Sequence, residues 1–193
     1  MSILVRPDGI DPSRWSWLSL LAGLAVSDGV RRAVDVPAVL KWPNDVLIAD
    51  RKLCGILSER VDSSQGPACV VGIGINVSLE EDQLPVPSAT SLAIAARQFG
   101  GPPPSRTAVI VTVLAAFELL YCRWEAQRGK DDSLAASYAE RCDTIGRRVR
   151  VLLSDQRSVE GIADRIDSDG RLVVSTTSGL SVYGAGDVVH LHS

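Results

Sequence analysis

The stretch Val39-Leu40-Lys41-Trp42-Pro43-Asn44-Asp45-Val46-Leu47-Ile48 consists of two short apolar runs broken by a turn. Pro43 fixes its own φ and biases Trp42 toward extended backbone, while Asn44 and Asp45 are turn formers. The same rhythm continues. An Asp50-Arg51-Lys52 break precedes Ile56-Leu57, and a polar Asp62 to Pro67 loop precedes an apolar run from Val70 to Val77. Runs this short with breaks this close predict an antiparallel meander over residues 39–77.

Upstream, Ser2 to Arg6 reads as a strand, Pro7-Asp8-Gly9 as a turn and Asp11-Pro12-Ser13 as a helix start. The following helix carries Leu18, Leu21, Ala22, Ala25, Val26 and Val30 at helical spacing, with so much further apolar surface that it should be largely buried. Downstream, Leu79 to Pro87 reads as a loop, Ser91 to Gln98 as a short helix and Gly100 to Pro104 as a breaker. Thr107 to Arg128 is expected to be a long helix with Val109, Val113, Ala116, Leu120 and Trp124 on one stripe, and Ser133 to Asp143 another helix, stopped by Gly146.

The end of the chain differs in kind. Arg147–Leu153, Gly161–Ile166, Leu172–Ser175, Leu180–Tyr183 and Val188–Leu191 are short strands, with Asp167-Ser168-Asp169-Gly170 as a hairpin turn. The expected organisation is therefore α+β: a first domain over residues 1–145 in which helices cover a mixed or antiparallel sheet, then a small SH3-like β-barrel over residues 146–193.

With 193 residues, 46% hydrophobic and 22% charged, the chain has the composition of a folded globular protein. A net charge of −3 offers no general attraction for nucleic acid, so none is expected as a partner. Cys54, Cys69, Cys122 and Cys142 show no paired spacing and no neighbouring histidine cluster, and read as reduced core thiols of a cytoplasmic protein rather than as a metal or disulfide framework. The apolar stretch Trp15 to Val26 falls short of the roughly 20 residues of a membrane span. No membrane association is expected.

Lysine usage points to chemistry. Of 20 basic residues only Lys41, Lys52 and Lys130 are lysines, and two of them fall in one short segment. A lysine ammonium is a compact point charge that fits between two anions, where a planar guanidinium fits poorly. The plain alternative is two solvated strand-end lysines. Against it stands the neighbourhood, because Lys41-Trp42-Pro43-Asn44-Asp45 places a cation, an aromatic ring, an amide and a carboxylate in a single turn. In Gly72-Ile73-Gly74-Ile75-Asn76-Val77, glycines at alternate strand positions mark a close approach by backbone or ligand. A lone Gly-x-Gly is not the dinucleotide fingerprint, which needs a third glycine opening a helix.

Four segments in order resemble the bacterial biotin protein ligase family: Lys41 to Asp45, Arg51 to Glu59 with its Gly55-Ile56-Leu57, Gly72 to Val77, and Ala89-Thr90-Ser91-Leu92. The resemblance extends over the apolar helix before them and the terminal barrel after them. It implies a class II synthetase-like biotin/lipoate ligase core and ATP-dependent joining of biotin to AMP, then transfer to a lysine of a biotin carboxyl carrier domain of acetyl-CoA or a related carboxylase. ATP and biotin are the implied substrates, with Mg²⁺ expected. By family position Lys52 lies between biotin carboxylate and α-phosphate, Lys41 lies nearer the phosphates, Asn44 and Asn76 hold the adenylate, and Gly55 and Gly74 admit the ligand beside Trp42. Asp45 orients the acceptor lysine or receives its proton.

The sequence also departs from that pattern. The Ser-Thr-Asn segment and Gly-Arg-Gly-Arg loop that precede this region in the family do not occur here, which implies an N-terminally shortened reading of a ligase. The winged helix of the bifunctional members does not occur either, which argues against a repressor. The terminal His190-Leu191-His192 stands where many members carry a basic residue, and reads as a strand-end feature rather than a metal site. The alternatives are an impaired paralogue that binds nucleotide or pairs with itself through an open sheet edge as a homodimer, a lipoate ligase-like enzyme, and an SH3-like binding module without chemistry.

Overall fold

The structure, a computed structural model, describes residues 1–101, 105–153 and 157–191. Residues 102–104 of the breaker run, and His192, lie outside the described residues.

Strand β1 (Ser2–Val5) is followed by a 3₁₀ turn at Pro12–Arg14, helix α1 (Trp17–Val34), and strands β2 (Val39–Lys41), β3 (Asp45–Ile48), β4 (Arg51–Ser63) and β5 (Gly66–Ile75). These strands form one antiparallel sheet in the order β1-β5-β4-β3-β2. The meander is as expected except at Asp62 to Pro67, where β4 and β5 continue as a paired ribbon to Ser63 opposite Gly66. All residues from Glu59 to Gln65 are exposed, so the polarity that reads as a loop belongs to a ribbon projecting into solvent.

Cys54, Ile56, Val71 and Ile73 point from one face of the sheet into the core. There α1 packs, with Leu40 3.4 Å and Ile56 3.8 Å from the position a Cβ on Gly23 would take. On its far side α1 meets α3 (Arg106–Ala126), and a Cβ on Gly29 would lie 2.9 Å from the main chain of Val113. Sandwiched between a sheet and a helix, α1 buries both flanks, which explains its nearly all-round apolar sequence. Helix α3 buries Val109, Val113, Ala116, Phe117, Leu120 and Trp124. It leaves Ile110, Val111, Leu114 and Leu119 exposed, and by length and composition it, rather than Trp15 to Val26, is the described helix apolar enough to cross a membrane. Cys122 lies on its exposed side, so one of the four thiols is not a core residue as expected; the other three are buried.

A second 3₁₀ turn at Glu81–Gln83 and helices α2 (Leu92–Phe99) and α4 (Asp132–Arg141) complete the helical set among the described residues. The chain then forms a second antiparallel sheet from β6 (Arg148–Leu152), β7 (Ser158–Ile166), β8 (Leu172–Thr176), β9 (Gly179–Tyr183) and β10 (Asp187–His190), in the order β10-β6-β7-β8-β9. Alternating Val149, Val151, Val174 and Val188 fill its interior.

The turn between β7 and β8 joins the two sheets. Asp167 folds it by accepting from the main-chain N–H groups of Asp169 and Arg171, both at 2.9 Å. Three groups of the first sheet layer then donate to its carbonyls: Ser16 Oγ to Asp169 at 2.7 Å, Trp17 Nε1 to Ser168 at 2.9 Å and Trp42 Nε1 to Gly170 at 3.0 Å. Gly170 has φ +77°, and a Cβ there would meet Leu20 at 2.9 Å, so both conformation and close approach require glycine.

Candidate active site

The turn after β2 is held from three directions. Asn44 Nδ2 donates to Ile56 O at 2.8 Å, Ile56 N donates to Asn44 O at 2.9 Å, and Trp42 N donates to the Thr144 hydroxyl at 3.1 Å. The Trp42–Pro43 peptide is cis. The Trp42 side chain is 1% exposed, and with its indole N–H committed to Gly170 it serves as an anchor between the sheets that only borders the cleft.

Asp45 opens β3 directly opposite Gly55, which is itself opposite Gly74. Residues opposite one another in an antiparallel pair share a face, so these three form a row on the face away from α1. Strict alternation would put Lys52 on the core side with Cys54 and Ile56. A bulge prevents this: Val46 pairs with Cys54 but Leu47 pairs with Lys52, leaving Leu53 as the extra residue. Leu53 and Cys54 are both buried, and Lys52 emerges on the open face. Its Nζ lies 2.6 Å from Asp45 Oδ1, as an ion pair whose angle falls outside hydrogen-bond geometry. Its Cε and Nζ lie 3.3 and 3.4 Å from the position of a Cβ on Gly55, so a larger residue there would displace the lysine.

The Lys52 main chain is clamped by the segment after β5. Lys52 N donates to Ser88 O at 2.8 Å and Thr90 N donates to Lys52 O at 2.9 Å. Asn76 Nδ2 in turn holds Thr90 O at 3.0 Å, and Asn76 O accepts from Leu92 N at 2.9 Å. The amide donors of Asn44 and Asn76 thus build the site's frame.

Beyond Lys52 the open face is bare. Gly72 and Gly74 are in line with Gly55, and among the described residues the only neighbours within 4 Å of an added Cβ are single carbonyls at 3.5 and 3.7 Å. Neither has the left-handed backbone that demands glycine. Among the described residues nothing requires glycine at either position, so the bareness leaves room for something lying flat on the strands. Leu4 and Leu57, more than half exposed, border the strip on the same face.

At its other end the row opens into a cleft of about 600 Å³ between the sheets, lined among others by Asn44, Asp45, Lys52, Ile56 and Asp187. An adjoining recess of about 340 Å³ brings in Lys41, Asp50, Arg147 and His190. Lys41 pairs with Asp45 across the β2–β3 hairpin, so both lysines flank the same carboxylate. Burial pushes the His190 imidazole below its ordinary range, with the Arg147 and Lys41 charges acting in the same direction. Beneath the row, burial pushes the Cys54 thiol up to about 12, aided by the Asp45 carboxylate. Thr144, Arg147, Asp187 and His190 were not legible as site residues. They come from the linker and last strand: Asp143 N donates to Leu40 O at 2.8 Å, which seats the linker beside Lys41, and the turn of Asp167 to Gly170 docks the sheet that carries the last strand.

Residues 1–76 match the family described as Biotin/lipoate A/B protein ligase family, and residues 144–191 match Biotin protein ligase C terminal domain. The biotin--[acetyl-CoA-carboxylase] ligase of Mycobacterium tuberculosis is 41% identical over 194 residues, covering 99% of this chain and 68% of the relative. The bifunctional ligase/repressor BirA of Bacillus spizizenii is 32% identical over 190 residues, covering 97% of this chain and 57% of the relative. In fold, the biotin protein ligase of Aquifex aeolicus superposes with a TM-score of 0.83 at 23% identity, covering 98% of this chain and 81% of that one. An α+β core joined to a small all-β unit, with these matches over the two parts, puts the chain in the class of biotin/lipoate-type protein ligases. The chain belongs to the biotin protein ligase family.

Proposed function

We propose that the protein activates biotin with ATP to biotinyl-5′-AMP and passes the biotinyl group to a lysine of a carboxylase carrier domain. The observation that carries this reading is the uninterrupted row of Asp45, Gly55 and Gly74 with Lys52 lying over it. It offers a bare floor for a flat, mostly apolar ligand and a cation at the end where a carboxylate would meet a phosphate.

The physical difficulty is that both reactants are anions. One carboxylate oxygen attacks the α-phosphorus, an O–P bond forms, and pyrophosphate leaves with its bonding pair. Lys52 offsets the charge that accumulates between carboxylate and α-phosphate, and Lys41 offsets it farther along the phosphates. In the unliganded state Asp45 holds Lys52 in place, and the incoming anions compete for the same ammonium. Once the adenylate has formed, the acceptor amine must lose a proton before attacking the acyl carbon, and Asp45 is the carboxylate positioned to receive it. Mg²⁺ enters as part of the substrate MgATP, since magnesium is commonly held by one or two carboxylates together with substrate phosphates. Among the described residues no group of three or more His, Cys, Asp or Glu side chains stands ready as a resident metal site.

Acetyl-CoA carboxylase, named for the mycobacterial relative, supplies the acceptor class. The test is biotin-dependent exchange of pyrophosphate into ATP, followed by transfer of label from biotin to an isolated carrier domain. Exchange with biotin and not with lipoate supports the reading, and transfer abolished by removing the acceptor lysine completes it.

A further inference from the structure

The last strand of the second sheet reaches the catalytic turn through a chain of side chains that the activation chemistry does not use. Trp42 N donates to Thr144 Oγ1 at 3.1 Å, and Thr144 Oγ1 lies 3.1 Å from His190 Nε2. Thr144 is fully buried. Its hydroxyl accepts from Trp42, so its own hydrogen must go elsewhere; of the two acceptors beside it the Cys142 thiol is weak, and His190 Nε2 is the strong one. The other ring nitrogen, Nδ1, faces Asp143 Oδ2 at 3.8 Å, beyond hydrogen-bond reach, and that carboxylate is paired with Arg147 at 2.7 Å. A ring with its proton on Nδ1 leaves Nε2 bare to accept from the Thr144 hydroxyl and turns the N–H toward the Asp143 side. Trp42 follows Lys41 directly, and its indole is fixed to Gly170 in the second sheet. Both N–H donors of Trp42 therefore end on groups outside the first sheet.

We propose that His190 is a positioning residue: acting through the Thr144 hydroxyl, its neutral ring sets the main chain at Trp42 and so places Lys41 and Asp45 for the adenylation step. The proposal rests on the adenylation reading for its kinetic consequence but not for its geometry. Protonation of His190 puts a hydrogen on Nε2 aimed at Thr144 Oγ1. The hydroxyl then receives two donors, and its own hydrogen is left with the Cys142 thiol, a weak acceptor, in a buried position. The charged groups facing the ring are Lys41 at the end of β2, Asp50 from the β3–β4 turn, and Asp143 and Arg147 from the linker. Asp187 on its own strand lines the same recess. The cations disfavour a second proton on the ring and the carboxylates favour it. Burial adds to the cations, which keeps the ring neutral near pH 7.

The test uses the full chain with His190→Phe, which keeps the size and removes the acceptor; His190→Gln, which keeps a polar atom near Nε2 and cannot titrate here; and Thr144→Val. The backbone amide of Trp42 is followed by ¹⁵N NMR against pH, and biotin-dependent exchange is measured alongside. The Trp42 resonance is expected to titrate together with the His190 ring in the wild type and to stop titrating in all three variants. Exchange kcat falls roughly fivefold in His190→Phe and Thr144→Val, the loss of one buried neutral hydrogen bond. In His190→Gln it recovers and its acid limb flattens, while the KM for biotin is unchanged throughout. A Trp42 amide indifferent to His190 protonation overturns the proposal, as do phenylalanine and glutamine variants that both match the wild type. If the wild type shows no exchange while Trp42 still titrates with His190, the adenylation reading fails and the positional link stands.

Discussion

Lys52 Nζ sits 2.6 Å from Asp45 Oδ1, and the two residues reach each other only because the bulge at Leu53 turns the lysine out of the core. The pair is unevenly solvated, with the Lys52 side chain 46% exposed and that of Asp45 14% exposed. Removing the lysine therefore costs little folding stability, on the order of 1 kcal/mol for a part-exposed pair. Its chemical cost is far larger. Lys52→Ala is expected to lower biotin-dependent exchange by about a hundredfold or more, the scale for losing one preorganised charge-stabilising donor. Lys52→Arg should recover only a small part, because a planar fork does not fit over Gly55.

Glycine substitutions separate floor from framework. Gly74→Ala adds a methyl group whose nearest neighbour is a carbonyl at 3.7 Å, so stability should change by no more than about 0.5 kcal/mol. Biotin affinity, measured by titration calorimetry, should fall at least tenfold. Gly29→Ala drives a methyl group to 2.9 Å from the main chain of Val113 between α1 and α3. It should cost about 1–3 kcal/mol in denaturant unfolding without a specific effect on biotin in the fraction that remains folded.

Trp42→Phe tests the anchor between the sheets. The ring volume is largely kept, but Gly170 O loses its donor in a buried position. Destabilisation of about 1–3 kcal/mol is expected, read as a lowered midpoint in urea.

The thiols should divide by position. Burial raises Cys54 to about 12 and also raises Cys69 and Cys142, whereas Cys122 is exposed on α3. At pH 8 one equivalent of an aromatic disulfide reagent should react quickly with the native protein, at Cys122, and the remaining three only on unfolding. Fast labelling of a second thiol in the folded protein would contradict the burial described for these residues.

His190 fixes the sign of one pH effect. Its folded-state pKa lies below the ordinary 6.5, so the unfolded chain binds the proton more readily than the folded one. The stability tied to the neutral ring is complete above about 6.5 and is lost as pH falls toward the lower folded-state value. His190→Gln should show a weaker loss of stability between pH 6.5 and 5 than the wild type.

The short runs of Val39 to Val77 and the helical stripe from Leu18 to Val30 were legible because burial on one side imposes a period on the chain. The Lys41 to Asp45 turn stood out because it concentrates cation, amide and carboxylate. Two features resisted. The bulge at Leu53 breaks the period, and its signal, the consecutive apolar pair Leu53-Cys54 after a lysine, resembles ordinary core sequence. The contribution of Thr144, Arg147, Asp187 and His190 depends on how the linker and second sheet dock, which is set by main-chain groups of Leu40, Asp143 and the Asp167 to Gly170 turn that no side-chain pattern reveals. Trp42, expected beside the ligand, borders the cleft and also carries that docking.

The most direct measurement is biotin-dependent pyrophosphate exchange into ATP, made on this chain and on a form extended through any in-frame upstream residues, each beside its Lys52→Ala variant. Exchange that requires biotin, appears at least in the extended form and disappears with Lys52→Ala is the predicted result. Folded protein in both forms with no biotin-dependent exchange, or exchange that survives Lys52→Ala undiminished, would contradict the assignment of adenylate formation to the row of Asp45, Lys52, Gly55 and Gly74.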